Sequence, residues 1–220
     1  MRQNYLPLNF FPIQCYEFRC SKLLLDTTLS LVEKQEYRSF NEPTGVLTTA
    51  DIQDQESFHP LMSWFQQCVD TIHFDTGLNC DRLVINKAWA NKSVAGSGHH
   101  HDAHRHPMSY YSGIFYLTGG APTVFLDPLF QREWGSFYLD GTVNRELGYH
   151  GGEGGLLLFP SYLVHASAPN AEEVDRYSIA FNTFPSGDVN SGGHGLPMAR
   201  LKVEGWKDLG PLKLDEYARD

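Results

Sequence analysis

The 220-residue chain is poor in cysteine, in positive charge and in long hydrophobic runs. Its four cysteines, Cys15, Cys20, Cys68 and Cys80, form no CxxC pair. A chain of this length needs no disulfide framework, so free thiols in a reducing, cytoplasmic setting are expected. Lys and Arg number 17 against 26 Asp and Glu, giving a net charge of −9 and a pI near 5.5. That balance argues against nucleic acid or an anionic membrane as the main partner. Apolar runs such as Leu156–Phe159 fall far short of the roughly 20 residues a membrane helix needs. Met1–Phe11 contains Arg2, Asn4 and Asn9 and lacks the apolar stretch of a signal peptide. No internal repeat is visible, and nothing in the sequence sets an oligomeric state.

What is present is an ordinary globular composition, 41% hydrophobic and 20% charged, enough for one core. The spacing predicts a single domain over 1–220. It comprises helical support over about 1–80, a β core over about 81–184 and a loop and tail over 185–220. Ser21 is placed to cap a helix running towards Arg38. A second helix starts near Pro60, buries Leu61, Trp64, Phe65, Cys68, Val69 and Ile72 at a 3.6-residue period, and stops at Gly77. From Arg82 the period becomes two. Strands are expected over 82–89, 112–118, 123–126, 136–139, 156–159 and 176–181, separated by Gly, Pro, Asn and Asp turns. Short strands at such spacing suggest a mainly β fold, a jelly roll. The Gly- and Ser-rich stretch 185–195 reads as a loop.

Histidines crowd one place. His99, His100, His101, His104 and His106 fall within eight positions. Residues two apart on a strand face the same way, so His104 and His106 can converge on one ion. Imidazole suits Fe, Cu, Ni and Zn. His165, after the Leu156–Phe159 strand, is the candidate third ligand. A solvated histidine loop with adventitious metal binding is the competing reading. Ligating imidazoles must be neutral, so metal affinity is expected to fall as pH drops through about 6.5. One strand beyond His165, Arg176 and Ser178 share a strand face opposite Tyr177, Ile179 and Phe181. A guanidinium fork plus a hydroxyl can grip a carboxylate. A surface pairing of Arg176 with Glu172 or Glu173 is the alternative.

Together these residues resemble the 2-oxoglutarate/Fe(II) oxygenase superfamily. The closer likeness is to a branch with a His-x-His-Pro motif. Its elements here are Trp89-Ala90-Asn91, His104-Arg105-His106-Pro107, Ser112–Leu117, Gly155–Ser161, His165 and Arg176–Asn182, with Phe10-Phe11-Pro12 also fitting. The resemblance implies a double-stranded β-helix with supporting N-terminal helices. It implies His104 and His165 as iron ligands, and Arg176 and Ser178 as the grip on the distal carboxylate of 2-oxoglutarate. Tyr116 would join that arginine, and Asn86, Trp89 and Asn91 would line the pocket. The superfamily's usual third ligand is a carboxylate; His106 stands there in this chain, with Asp102 the nearest acidic alternative.

The implied activity is a dioxygenase using Fe(II), 2-oxoglutarate and O₂. It would couple decarboxylation to succinate with hydroxylation of a small molecule or a protein side chain. Two alternatives stand beside it: a three-His oxygenase independent of 2-oxoglutarate, and a non-catalytic, cupin-like metal binder.

Overall fold

The computed structural model describes residues 12–39, 44–128, 146–191 and 199–203. The expected strand over 136–139 lies outside them, as do Met1–Phe11 and most of the tail. Two helices and eleven strands are described. The chain opens with β1 (Tyr16–Arg19), α1 (Lys22–Val32), β2 (Arg38–Ser39) and β3 (Leu47–Thr48). Next come α2 (His59–Thr76), β4 (Cys80–Ser93), β5 (Tyr111–Tyr116) and β6 (Thr123–Leu126). It continues through β7 (Glu146–Tyr149), β8 (Gly155–Pro160), β9 (His165–Ser167), β10 (Arg176–Val189) and β11 (Ala199–Leu201). The strands form two sheets. One has the order β1-β8-β5-β10-β4-β3-β2, with β11 added to β10; the other is β7-β6-β9. This is a double-stranded β-helix backed by helices.

The helices behave as their spacing dictates. The Ser21 hydroxyl accepts the Leu24 N–H at 3.3 Å, capping α1. α2 carries Pro in its first turn and ends on Gly77, whose φ of 61° supplies the left-handed cap. Its buried stripe packs on the outer face of the large sheet. The Phe65 ring lies 4.7 Å from Phe181 and 5.4 Å from Phe115 between centroids. Gly113 is required beneath this cluster, because a Cβ there would come within 2.3 Å of the Phe181 ring.

A bulge in β4 shifts its register with β10 between Asn182 and Thr183. Side chains from the helical layer take up the freed backbone groups. Gln66 donates to the Leu83 carbonyl at 2.7 Å and accepts the Ile85 N–H at 3.1 Å, and Gln53 accepts the Ala88 N–H at 3.0 Å.

Three expectations are corrected. α1 stops at Val32 rather than near Arg38, because Arg38 and Ser39 are drawn into pairing with β3. The first third is not purely helical: β1 pairs with β8. Residues 185–189 are not a loop but the second half of β10, with Pro185 opposite Leu83 and Ser186 opposite Arg82. Long-range pairing there outweighs a Pro- and Gly-rich composition. No described helix is long and apolar enough to cross a membrane.

Candidate metal centre

The histidine run lies between β4 and β5, and Asn170 clamps its start. This fully buried side chain donates to the carbonyls of Ser93 at 2.9 Å and Val94 at 3.2 Å. Its backbone accepts from Gly98 N–H and donates to His99 O. Farther along, His104 and His165 exchange two backbone hydrogen bonds of 2.9 Å, and His106 N–H donates to Ser161 O at 3.2 Å. His104 makes a single bridge to His165 rather than a strand. The two-residue spacing converges all the same, because β9 fixes one end and the turn before β5 fixes the other.

One ring nitrogen from each of His104, His106 and His165 lies within 4.8 Å of the other two. Hydrogen bonds set two of the three tautomers. His104 Nδ1 is 2.7 Å from Asp102 O, and His165 Nδ1 is 3.0 Å from Leu163 O. A carbonyl only accepts, so both Nδ1 atoms carry hydrogen and both Nε2 atoms present lone pairs. His106 differs. Among the described residues no carbonyl sets its tautomer, and its Nε2 lies 3.3 Å from His165 Nε2.

Burial, then the neighbouring imidazoles, pushes His106 down to about 3. Burial likewise lowers His165 to about 4, against the opposing pull of the Leu163 carbonyl. Both rings are therefore neutral and able to ligate well below the pH of about 6.5 expected from an unperturbed histidine.

Asp102 is outside the cluster. Its side chain is 68% exposed and lies 3.6 Å from His100 Nε2; only its backbone carbonyl serves the site. His99 packs its ring over Gly45, and His100 bonds Gly98 O through Nδ1. Neither joins the three.

Arg176 is 7% exposed, which disposes of a surface pairing with Glu172 or Glu173. Among the described residues no carboxylate pairs with it, and burial lowers its pKa. Ser178 sits beside it on the inner face, flanked by Tyr116 of β5 and Asn91 of β4. The Tyr116 hydroxyl bonds Thr123 Oγ1 at 2.8 Å. Gly151 makes room for that ring, since a Cβ there would fall 2.1 Å from it.

A cavity of about 540 Å³ opens over the cluster, bounded by Trp89, Asn91, His101, His104, His106 and Asn182 among others. This size suits a small molecule. Trp89 lies 5.9 Å from the His106 ring. The Asn91 carbonyl oxygen is buried without a hydrogen bond. Asn86 falls in the bulge, and neither it nor Arg176, Ser178 or Tyr116 is among the residues that line this cavity. Thr48, Thr49 and Asp51 also contribute. No sequence motif marked them, because β3 reaches the site only through its pairing with β4.

Residues 87–182 match the family model described as 2OG-Fe(II) oxygenase. That span, which carries the barrel core, is similar to the 2OG-Fe(II) oxygenase family. No curated protein sequence matches the chain. Solved structures share the fold at low identity. The epimerase SnoN of nogalamycin biosynthesis aligns at TM-score 0.61 and 11% identity, over 93% of this chain and 92% of that one. HygX from Streptomyces hygroscopicus, solved with nickel and 2-oxoglutarate, aligns at TM-score 0.58 and 10% identity, over 87% and 93%. A Pseudomonas putida prolyl-4-hydroxylase aligns at TM-score 0.58 and 14% identity, over 80% and 94%.

Proposed function

We propose that this protein is a 2-oxoglutarate-dependent Fe(II) oxygenase of the hydroxylase type. In this reading His104, His106 and His165 hold the metal, while Arg176 and Ser178 bind the distal carboxylate of 2-oxoglutarate beside Tyr116. The observation that carries it is the buried Arg176 guanidinium, which has no carboxylate partner among the described residues. An unmatched buried charge is costly unless a ligand completes it. A dianionic acid bridging from the imidazole cluster to Arg176 would do so.

The donor set fits the group. Three neutral nitrogens suit a divalent first-row metal, and two are held ready by backbone carbonyls. Bound Fe(II), with 2-oxoglutarate and O₂, would supply decarboxylation to succinate and CO₂ coupled to oxidation of a substrate C–H bond. The chain's own residues orient the co-substrate, screen it from water and set the substrate's approach. Trp89 offers a flat apolar face at the cavity, while Asn91 and Asn182 offer amides. A small polar molecule or a protein side chain would fit that wall.

The all-imidazole cluster favours one second reading, a three-His oxygenase that needs no 2-oxoglutarate. Anaerobic titration separates the two. Fe(II) followed by 2-oxoglutarate should raise the visible charge-transfer band of a chelated 2-oxo acid, and air should then release succinate. No band and no 2-oxoglutarate binding would favour the three-His reading.

A further inference from the structure

His101 belongs to the histidine run but not to the three-imidazole cluster. It stands on the cavity wall, and Ser167 of β9 holds it at several points. His101 N–H donates to Ser167 Oγ at 2.8 Å, and Ser167 N–H donates back to His101 O at 3.2 Å. The same Oγ lies 3.4 Å from His101 Nδ1. Among the described residues the hydroxyl hydrogen has no other acceptor, so it points at Nδ1. That makes Nδ1 an acceptor and leaves the ring proton on Nε2. Nε2 has no hydrogen-bond partner among the described residues. It is also not among the sealed polar atoms left without one.

The position of this free donor is specific. The ring centroid is 5.8 Å from that of His104. The imidazole is within electrostatic reach of His104, Arg176 and His165. His101 lines the cavity, whereas Arg176 and Ser178 are not among its lining residues. A molecule spanning from the imidazole cluster to Arg176 would run close to His101, which is within reach of both. Its neutral N–H would meet that molecule without adding positive charge.

We infer that His101 is a binding residue for 2-oxoglutarate, donating Nε2–H to one of its oxygens, with Ser167 as the positioning residue that fixes the tautomer. This rests on the 2-oxoglutarate reading above. It explains why a side chain outside the metal cluster is held so firmly at its edge. Hydrogen bonds to charged acceptors are among the stronger ones, so the loss should be measurable in affinity.

The test is calorimetric titration of 2-oxoglutarate into the full chain loaded with Ni(II), with Ni(II) affinity measured separately. His101→Leu keeps the bulk and removes the donor; it should weaken 2-oxoglutarate about tenfold and leave Ni(II) within about threefold. Ser167→Ala should weaken 2-oxoglutarate about threefold. Made in the His101→Leu background, it should add nothing, because Ser167 acts through His101. His101→Gln, which restores an N–H, should recover part of the loss. If His101→Leu fails to fold, the Ser167→Ala and His101→Gln titrations decide. The inference is overturned if the folded variants bind 2-oxoglutarate as the wild type does while Arg176→Met does not; the 2-oxoglutarate reading then stands. Parallel loss of Ni(II) would make His101 part of the metal site and overturn it as well. A wild-type protein that binds Ni(II) but no 2-oxoglutarate overturns both.

Discussion

The two faces of β10 obey different rules. On the outer face Tyr177, Ile179 and Phe181 are buried against the helical layer in one apolar cluster. Polar groups on that side are matched, as Gln66 and Gln53 show at the β4 bulge. On the inner face Arg176 is buried with no carboxylate among the described residues, and the Asn91 side-chain oxygen across the strand pair has no donor among them. Each unmatched buried group costs on the order of 1–3 kcal/mol. The outer face is thus finished by folding alone, whereas the inner face, on the proposed reading, is finished when 2-oxoglutarate binds. One strand, alternating every residue, divides stability from function.

Substitutions on the two faces should fail in different ways. The largest contrast is between His165→Ala and Phe65→Ala. Removing His165, or His104, should lower Fe(II) or Ni(II) affinity by about 100-fold or more, on the scale of lost metal contacts, while the thermal midpoint of the metal-free protein changes little. Removing Phe65 should cost about 3–5 kcal/mol of stability, and the molecules still folded should bind metal normally. Competition titration against a metal-sensing dye, with urea unfolding of each variant, checks both halves. A His165→Ala variant that keeps tight stoichiometric metal would break the division.

Next in size is Arg176→Met. Losing the guanidinium should weaken 2-oxoglutarate at least about tenfold. Because the charge is buried and has no acidic partner among the described residues, its replacement by an apolar side chain should leave stability unchanged or raise it. A variant with weaker folding and unaltered co-substrate affinity would place Arg176 with the structural face.

A smaller effect should appear with pH in the metal-free protein. Native His101 and His106 are held down to about 3 and His165 to about 4, burial being the main cause. In the unfolded chain they return to about 6.5. Between these values the unfolded state holds more protons, so stability rises with pH. The contribution is complete above about 6.5 and is lost as pH falls towards about 4 and then 3. Urea midpoints at pH 7.5, 5.5 and 4.5 should decline in that order, and more shallowly in His101→Leu.

Much of this was legible from residue order, for a physical reason. α2 and the start of β10 declare themselves by periodicity because each has one buried face. The Arg176 and Ser178 pair could be read because alternation is local. β9 was not legible: three residues give no period. The second half of β10 was hidden by Pro185 and Gly187, whose composition signals a turn. Only the partner strand β4 reveals the pairing. Ser167 and Asn170 were missed for the same reason, since their contacts with the histidine run span long stretches of chain. The run itself announced a site but did not sort its members. Tautomers and contacts sort them, and those arise only in the folded state.

The smallest predicted effect decides the third ligand. In the structure His106 reaches the cluster, whereas the Asp102 carboxylate turns towards His100 at the surface. Asp102 serves His104 through its backbone carbonyl, which any residue supplies. Asp102→Ala should therefore change metal affinity by no more than about twofold. His106 is less firmly preset than its partners, for among the described residues no carbonyl fixes its tautomer as Asp102 O and Leu163 O fix those of His104 and His165. His106→Ala should thus cost less than His165→Ala, yet clearly more than Asp102→Ala. His106→Asp should restore binding, because a carboxylate offers a lone pair with no tautomer to reset. Parallel Ni(II) titrations of the four proteins give the ordering directly. If Asp102→Ala loses metal while His106→Ala keeps it, the backbone at Asp102 must rotate to bring its carboxylate inward. The site would then be two imidazoles and one carboxylate.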